Sequence, residues 1–362
     1  MCQYSPINRG KQIYIIVVVG KENKSLRLQL LLFAVMFLSF IIPIYNCEQY
    51  IKQNLDIILD SGFMPADYEI ILVDDGSRDG SAAICKRYVE INSNIKYVFQ
   101  RNQGPSTARN TGLEHALGDY IWFVDADDSI NPEILPKLKS IVDGNDEIDL
   151  VSFGYVSQYP DGDRITKDVE KELFCNGLEF LQMPRHGSYL WNNIYKRASI
   201  GTRRFIDGVR HIEDSCFNIQ NILTFNKVVV LSDVGYYYNR KNINSISKGR
   251  RLQDRIKAND DSFIVYNALF NDMLTETDQQ KKDFLWRQLN FSISAHLYTM
   301  MMQFDDMGIV KRYIGEYRKM GFYPLSPTGN RKADLFARFA NHELLLLFVV
   351  ACRSCYKRLL SI

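Results

Sequence analysis

Three clusters of carboxylates stand where they could do chemistry. Val73 is followed by Asp74-Asp75-Gly76-Ser77, and Val124 by Asp125-Ala126-Asp127-Asp128. Glu213-Asp214 follows the loop Asp207-Gly-Val-Arg-His-Ile. The first two clusters end apolar runs that read as buried strands. Carboxylates at such ends are costly unless paired, solvated or coordinated. Two of these ends side by side in one sheet would concentrate negative charge. A divalent cation that prefers hard oxygen ligands, Mn2+ or Mg2+, is the natural counter-charge. A typical Mg2+ site uses one or two carboxylates and lets substrate phosphates fill the rest. Each cluster alone also has a plainer reading. Asp-Gly after a strand makes a turn, Asp127-Asp128 can cap the helix after Pro132, and Glu213-Asp214 suits a helix N-terminus through the dipole.

The elements that must carry these clusters alternate. Ser39 to Asn46 reads as a buried strand ending in a loop, and Asn46 with Gln49 forms a capping box for a helix to about Asp60. Glu69–Val73, Ile95–Gln100 and Tyr120–Val124 are three more strands. Between them lie a helix capped by Asp79 and running to about Asn92, and one opened by Gly104-Pro105 and closed at Gly118. This predicts an α/β fold with a mostly parallel sheet flanked by helices. Ligands in such folds bind at the carboxyl ends of the strands, where the clusters sit. Beyond residue 148 the alternation weakens. Asp149–Ser157 and Lys227–Val230 read as strands, and Arg251–Leu274, Gln279–Met302 and Leu335–Leu360 as a helical C-terminal region.

Composition narrows the partners. The chain has 362 residues, 46% apolar and 24% charged, with formal net charge +2. That balance gives no electrostatic case for nucleic-acid binding. The seven cysteines are odd in number and irregularly spaced, which fits reduced thiols in a cytoplasmic compartment. Cys352 and Cys355 form a lone C-x-x-C, read as two buried thiols one helical turn apart. Leu28 to Tyr45 is apolar enough to resemble a membrane segment, but its end is needed as a core strand. Met36 would serve as a start, and residues 1–37 are expected to be a poorly packed extension. The plan is then 1–37, an α/β catalytic domain over 38–248, and a helical region over 249–362. In the last, Leu344–Cys352 followed by Arg353, Lys357 and Arg358 suits peripheral attachment to the cytoplasmic face of a membrane.

SFIIPIYN (39–46), ILVDDGSRDGS (71–81), NQGPSTARNTGL (102–113) and YIWFVDADDSINP (120–132) occur in an order and spacing that resembles the family 2 glycosyltransferases of GT-A (Rossmann-like) fold. The resemblance covers roughly residues 38–245 and implies an inverting enzyme that uses a nucleotide sugar. It implies that Pro43, Tyr45 and Asn46 cradle the nucleoside and that Asp75 reads the base edge. It puts Arg109 beside the nucleotide, and Asp125, Ala126 and Asp127 in the D-x-D position. Asp127, with Asp125, would hold the metal, and Asp214 would be the general base. On the acceptor side it implies Trp191 as a sugar platform, with core aromatic as the plainer reading, together with Glu213 and Arg240. The implied partners are a nucleotide-sugar donor, with UDP favoured by frequency in the family, and a saccharide or lipid-linked acceptor in cell-surface polysaccharide synthesis. The rival reading is a non-catalytic nucleotide-sugar-binding module of the same fold. A processive synthase is disfavoured because no Q-x-x-R-W motif occurs. A sugar nucleotidyltransferase is disfavoured because no Gly-rich basic loop follows the first strand.

Overall fold

Apolar runs of four to eight residues between amphipathic segments can be buried on both faces, and here they become the centre of one sheet. The computed structural model describes residues 15–22, 25–32, 36–143, 145, 147–183, 189–242, 252–303 and 306–360. For 15–32, Leu252 and 353–360 only the backbone is described. The chain divides into two units, one of Met1–Val209 with Phe217–Asn244 and one of Arg210–Cys216 with Ser245–Ile362.

The first unit opens with β1 (Ile15–Glu22) and β2 (Ser25–Leu32), an antiparallel pair that forms a sheet of its own. Then follow β3 (Leu38–Ile44), α1 (Ile51–Leu59), β4 (Tyr68–Asp74), α2 (Ser81–Ile91), β5 (Ile95–Phe99), α3 (Pro105–His115) and β6 (Tyr120–Phe123). After these come β7 (Ser129–Ile130), a 3-10 turn at Pro132–Ile134, α4 (Leu135–Val142), β8 (Leu150–Tyr159), β9 (Gly162–Thr166) and β10 (Leu173–Cys175). The last elements are α5 (Gly177–Leu181), β11 (Asn193–Lys196), α6 (Arg197–Ile200), α7 (Glu213–Ile222), which begins in the second unit, and β12 (Val228–Asn239).

Ten strands make one mixed sheet in the order β10-β12-β8-β11-β6-β3-β4-β5, with β7 on β12 and β9 on β8. The parallel part predicted from the alternation is β6-β3-β4-β5. Antiparallel β11 joins it to a second half in which β8 and β12 run parallel. The central strands are apolar throughout because both faces are covered: Leu38, Phe40, Ile41 and Ile42 of β3 and Ile70 to Val73 of β4 are wholly buried.

Opposite the carboxyl ends, one buried carboxylate ties the sheet together. Glu69 accepts from Ser39 Oγ (2.7 Å), Leu117 N–H (2.6 Å) and Lys96 Nζ (2.7 Å), while Ser39 Oγ accepts from Gly118 N–H (2.9 Å). Burial is tolerable because these donors meet the charge. The predicted capping box does not form: α1 starts after Tyr50 with no side-chain cap. Asn46 instead takes φ +48° and gives its amide oxygen to Arg78 N–H (2.8 Å). Nor do Asp127-Asp128 cap a helix; Asn131 accepts from Glu133 N–H at the 3-10 turn.

The second unit's described helices are α8 (Leu252–Thr275), α9 (Gln279–Gln303), α10 (Met307–Lys319), α11 (Arg331–Ala340) and α12 (Glu343–Leu360). The segment 335–360, read as helical, holds parts of two helices, with a turn of 92° between α11 and α12. Its interior holds His296, hydrogen-bonded to Tyr317 Oη and, through Nε2, to Asn259 Oδ1 (2.6 Å). Burial presses this imidazole down to a pKa of about 4, so it stays neutral at physiological pH. Cys47, Cys85, Cys175, Cys216 and Cys352 are free thiols, and Cys352 is exposed, not buried as its place in the C-x-x-C suggests. The side chain of Cys355 lies outside the described residues.

α3 lies directly on β3 and β4 because Gly112 has no side chain: a Cβ there would stand 2.3 Å from Ile41 Cγ2. Gly112→Ala is expected to destabilise the protein by about 1–3 kcal/mol, the usual range for overpacking. Urea unfolding of the two proteins measures the difference.

Candidate active site

Two loops at the carboxyl ends of β3 and β4 are stapled to each other. Asn46 N–H donates to Ser77 Oγ (3.1 Å), Cys47 N–H to Ser81 Oγ (2.9 Å) and Glu48 N–H to Asp79 Oδ2 (3.1 Å). Glu48 in return accepts from Gly80 N–H (2.6 Å). Tyr45 is left at the rim, 47% exposed, above the partly buried Pro43. Of the three residues assigned to the nucleoside loop, Tyr45 is thus free to meet a ring, while the Asn46 amide is engaged in holding the loop.

Asp74 and Asp75 differ in role although adjacent, because successive strand residues face opposite ways. Asp74 is wholly buried and accepts from Ser77 N–H (2.8 Å) and Tyr97 Oη (2.6 Å), closing the turn. Gly76 takes φ +75° within that turn. Asp75 accepts at Oδ1 from Gln100 Nε2 (2.8 Å) and Gln103 N–H (2.8 Å), and at Oδ2 from Gly104 N–H (2.8 Å). A carboxylate has about four lone-pair sites. Three are used here, which leaves one on Oδ2 for a ligand N–H.

The segment that opens with Gly104-Pro105 does more than form a helix. Ser106 Oγ donates to Val209 O (2.6 Å) and Thr107 Oγ1 to Asp207 Oδ1 (3.0 Å). Asn110 exchanges bonds with the Phe205 backbone at 2.9 and 2.8 Å. The buried Arg109 donates from Nη2 to Asp125 Oδ1 at 3.1 Å. Its guanidinium also lies 5.6 Å from the centre of the Phe205 ring. Arg109, placed beside the nucleotide by resemblance, is therefore brought to the D-x-D segment.

That segment is held from both sides. Asn54 of α1 donates from Nδ2 to Asp125 O (3.2 Å) and Asp128 O (2.9 Å). Tyr236 of β12 donates from Oη to Asp128 Oδ2 (2.9 Å) and accepts from Asp125 N–H (3.1 Å). Asn239 N–H donates to Asp128 Oδ1 (2.7 Å), and Asn239 Nδ2 to Asp127 O (3.1 Å). Asn242 Nδ2 donates to Asp127 Oδ2 (2.7 Å). Asp128 is thereby a strut to β12 and is buried. Asp125 and Asp127 remain partly exposed. Ala126 between them packs its methyl into the core, so only its backbone can meet a ligand.

Burial, the Asp125 charge and the Asp127 charge push Asp128 well above the usual carboxylate range. Burial and Asp125 also raise Asp127, against the Asn242 bond that favours its charged form. A cation near Asp125 and Asp127 would relieve this repulsion. The donor set fits Mn2+ or Mg2+ in the form of two carboxylates completed by phosphate oxygens. Among the described residues, no three His, Cys, Asp or Glu side chains form a complete shell alone.

Trp191 is a correction. It is 3% exposed, with Tyr189 stacked on one side (4.6 Å, 16°) and Tyr236 also stacked against it (4.6 Å, 11°). Rings this close and parallel leave no face for a sugar, so the plainer reading of a core aromatic holds. Arg240 sits over the rings of Tyr159 (5.5 Å) and Tyr238 (5.0 Å) and donates to Tyr238 Oη. Glu213 and Asp214 form the first turn of α7, in the second unit. Asn54, Tyr236, Asn239 and Asn242 were not singled out as site residues. An Asn in an otherwise apolar helix face was the one local signal, and the rest act across more than a hundred residues.

Residues 39–203 match the family described as Glycosyl transferase family 2. The "Uncharacterized glycosyltransferase EpsJ" of Bacillus subtilis is 32% identical over 219 residues, covering 58% of this chain and 62% of EpsJ. The "Putative glycosyltransferase EpsH" of the same organism is 28% identical over 348 residues, covering 89% of this chain and 96% of EpsH. TarS of Staphylococcus aureus, a poly(ribitol-phosphate) β-N-acetylglucosaminyltransferase, is 26% identical over 269 residues, covering 71% of this chain and 45% of TarS. The crystal structure of TarS 1–349 in complex with UDP-GlcNAc superposes with TM-score 0.69 at 20% identity, covering 89% of this chain and 92% of that one. At that identity the likeness is one of fold. The chain carries, over residues 39–203, a glycosyl transferase family 2 domain.

Proposed function

We propose that this chain is an inverting glycosyltransferase. It moves a sugar from a nucleoside diphosphate donor, a UDP-sugar, to a hydroxyl of a saccharide or lipid-linked acceptor in cell-surface polysaccharide synthesis. The observation that carries this is the pairing, at the ends of β4 and β6 on either side of β3, of one free lone pair on buried Asp75 with the crowded, partly exposed carboxylates Asp125 and Asp127. Asp75 accepts an N–H from the base edge. Tyr45 covers the base. Arg109 fixes the direction of the Asp125 carboxylate. Asp127 and Asp125 would hold Mn2+ or Mg2+, which would supply positive charge to the departing diphosphate. In the transfer the acceptor oxygen bonds to the anomeric carbon, the bond from that carbon to the phosphate oxygen breaks, and Asp214 takes the acceptor proton. The attack comes from the face opposite the leaving group, so the anomeric centre inverts. TarS, of the same fold, is crystallised with UDP-GlcNAc and named for poly(ribitol-phosphate), which favours a nucleotide-sugar donor and a polymer acceptor here.

The protein acts at the cytoplasmic face of a membrane. No single described helix is long and apolar enough to cross one. Leu344, Leu345, Phe348 and Cys352 nevertheless lie exposed along one stripe of α12, with Leu344 86% and Phe348 63% exposed. Arg331, Lys332 and Arg338 are exposed on α11. An apolar stripe on a helix that follows exposed cations suits an anionic lipid surface, and the side chains of Arg353, Lys357 and Arg358 lie outside the described residues. Leu344→Asp with Phe348→Asp is expected to abolish flotation with phosphatidylglycerol vesicles; equal flotation of both proteins refutes the attachment.

Calorimetry with a panel of nucleotide sugars, with Mn2+ and with EDTA, tests the donor site. One donor should bind only with metal, and Asp127→Asn should weaken it by at least about tenfold, roughly 1.4 kcal/mol. Binding indifferent to both the metal and Asp127 would remove the metal-assisted reading. Asp214→Asn is expected to keep donor affinity while kcat falls about 10²- to 10⁴-fold, the range for a lost general base. Donor binding by wild type with no turnover on any acceptor or water would favour the non-catalytic module instead.

A further inference from the structure

Asp261, on α8 of the second unit, is wholly buried and yet charged. Its Oδ2 accepts from the backbone N–H of Arg210 (3.0 Å) and lies 3.3 Å from His211 Nδ1. Its Oδ1 accepts from Lys257 Nζ (2.5 Å). Burial works to raise its pKa, but the bonds from His211, Lys257 and the Arg210 N–H outweigh burial and hold it below the usual carboxylate range. An i,i+4 pair with Lys257 is a common helix feature and would need Oδ1 alone. It leaves unexplained why the second oxygen grips the two residues that lead into Ile212.

Ile212 has φ +55°. For a β-branched residue that is an outlier, and it persists only where the surroundings over-determine it. Its carbonyl accepts from Cys216 N–H (3.2 Å), so α7 begins from it. Helices usually start from a residue with extended backbone and a side-chain oxygen to cap the first turn, and Ile212 has neither. The direction of α7's first turn is therefore set by the backbone of Arg210 to Ile212. Glu213 and Asp214 are the next two residues.

We propose that Asp261 is a positioning residue for the Glu213–Asp214 pair. By fastening Arg210 and His211 to α8, it holds Ile212 in the left-handed conformation and fixes the direction in which both carboxylates leave α7. The inference rests on the reading of Asp214 as general base. A base acts only within hydrogen-bond reach of the proton it takes, and a displacement of about 1 Å can cost about a hundredfold in rate. Asp261 itself touches no substrate.

The test uses the full chain with Asp261→Asn, which keeps shape and loses charge. Hydrogen exchange of the 207–216 peptide, UDP binding, and UDP release from UDP-GlcNAc with Mn2+ are compared with wild type. Exchange in this peptide should quicken while UDP affinity and donor KM hold and kcat falls about 10- to 100-fold. Ile212→Asn in the same background should restore part of kcat, because Asn is at ease in the left-handed region and can cap the turn. Unchanged exchange in this peptide, unchanged kcat, or exchange quickened equally throughout the protein overturns the proposal. Asp214→Asn separates the two readings. If it is inactive while Asp261→Asn is fully active, only the positioning role falls. If it is itself fully active, the general-base reading is at fault. A wild-type chain that releases no UDP counts against the donor reading, and exchange alone then decides whether Asp261 holds the loop.

Discussion

Asp125, Asp127 and Asp128 stand within four residues at the end of β6, and their mutual repulsion in a partly buried place sets the terms for everything around them. Left to itself, such a segment would turn its carboxylates out to water. Here the backbone is held by Asn54 from one side and by Asn239 from the other, and Asp128 is drawn inward by Tyr236 and the Asn239 N–H. Once Asp128 is committed to that strut, Asp125 and Asp127 are the carboxylates left to face a ligand. The raised pKa of Asp127 is the residual strain of this arrangement.

The same logic accounts for the mixed sheet. β12 must run to Asn239 for its end to reach the acidic segment, and it does so as a long strand parallel to β8. Antiparallel β11 bridges that half to the parallel core. The stack of Tyr189, Trp191 and Tyr236 packs under the bridge and fixes the Tyr236 ring whose hydroxyl does the holding. Trp191 therefore serves the site through packing, and its indole is spent on Tyr236 and not on a sugar.

α3 is the other organising element. Its close seat on β3 depends on Gly112, its N-terminus gives Asp75 two N–H donors, and Arg109 gives Asp125 a cation. Ser106, Thr107 and Asn110 hold the Phe205–Val209 loop. One short segment thus touches the Asp75 carboxylate, the Asp125 carboxylate and the loop leading toward α7. In the second unit, Asp261 applies a comparable grip to the two residues before Ile212.

Much of this was legible along the chain. The alternation of apolar runs with amphipathic segments determines the parallel core, because a strand buried on both faces has no room for polar side chains. The order of the clusters around Asp75, Arg109, Asp125 and Asp127 carries the resemblance to family 2 glycosyltransferases, and strand polarity places the strand-end carboxylates at the same end of the sheet. What the sequence left open were contacts between residues far apart in it. Asn46 could cap a helix or serve the neighbouring loop, and its left-handed backbone settles that in favour of Arg78. Trp191 could be a platform or a core ring, and only the stacking of Tyr236, forty-five positions on, decides it. Asp128 could cap a helix or brace a strand, and Tyr236 and Asn239 decide that from β12. Side-chain type limits what each residue can do, but a hydrogen bond or stacked ring needs a partner within a few ångströms. For these residues the fold alone supplies that partner.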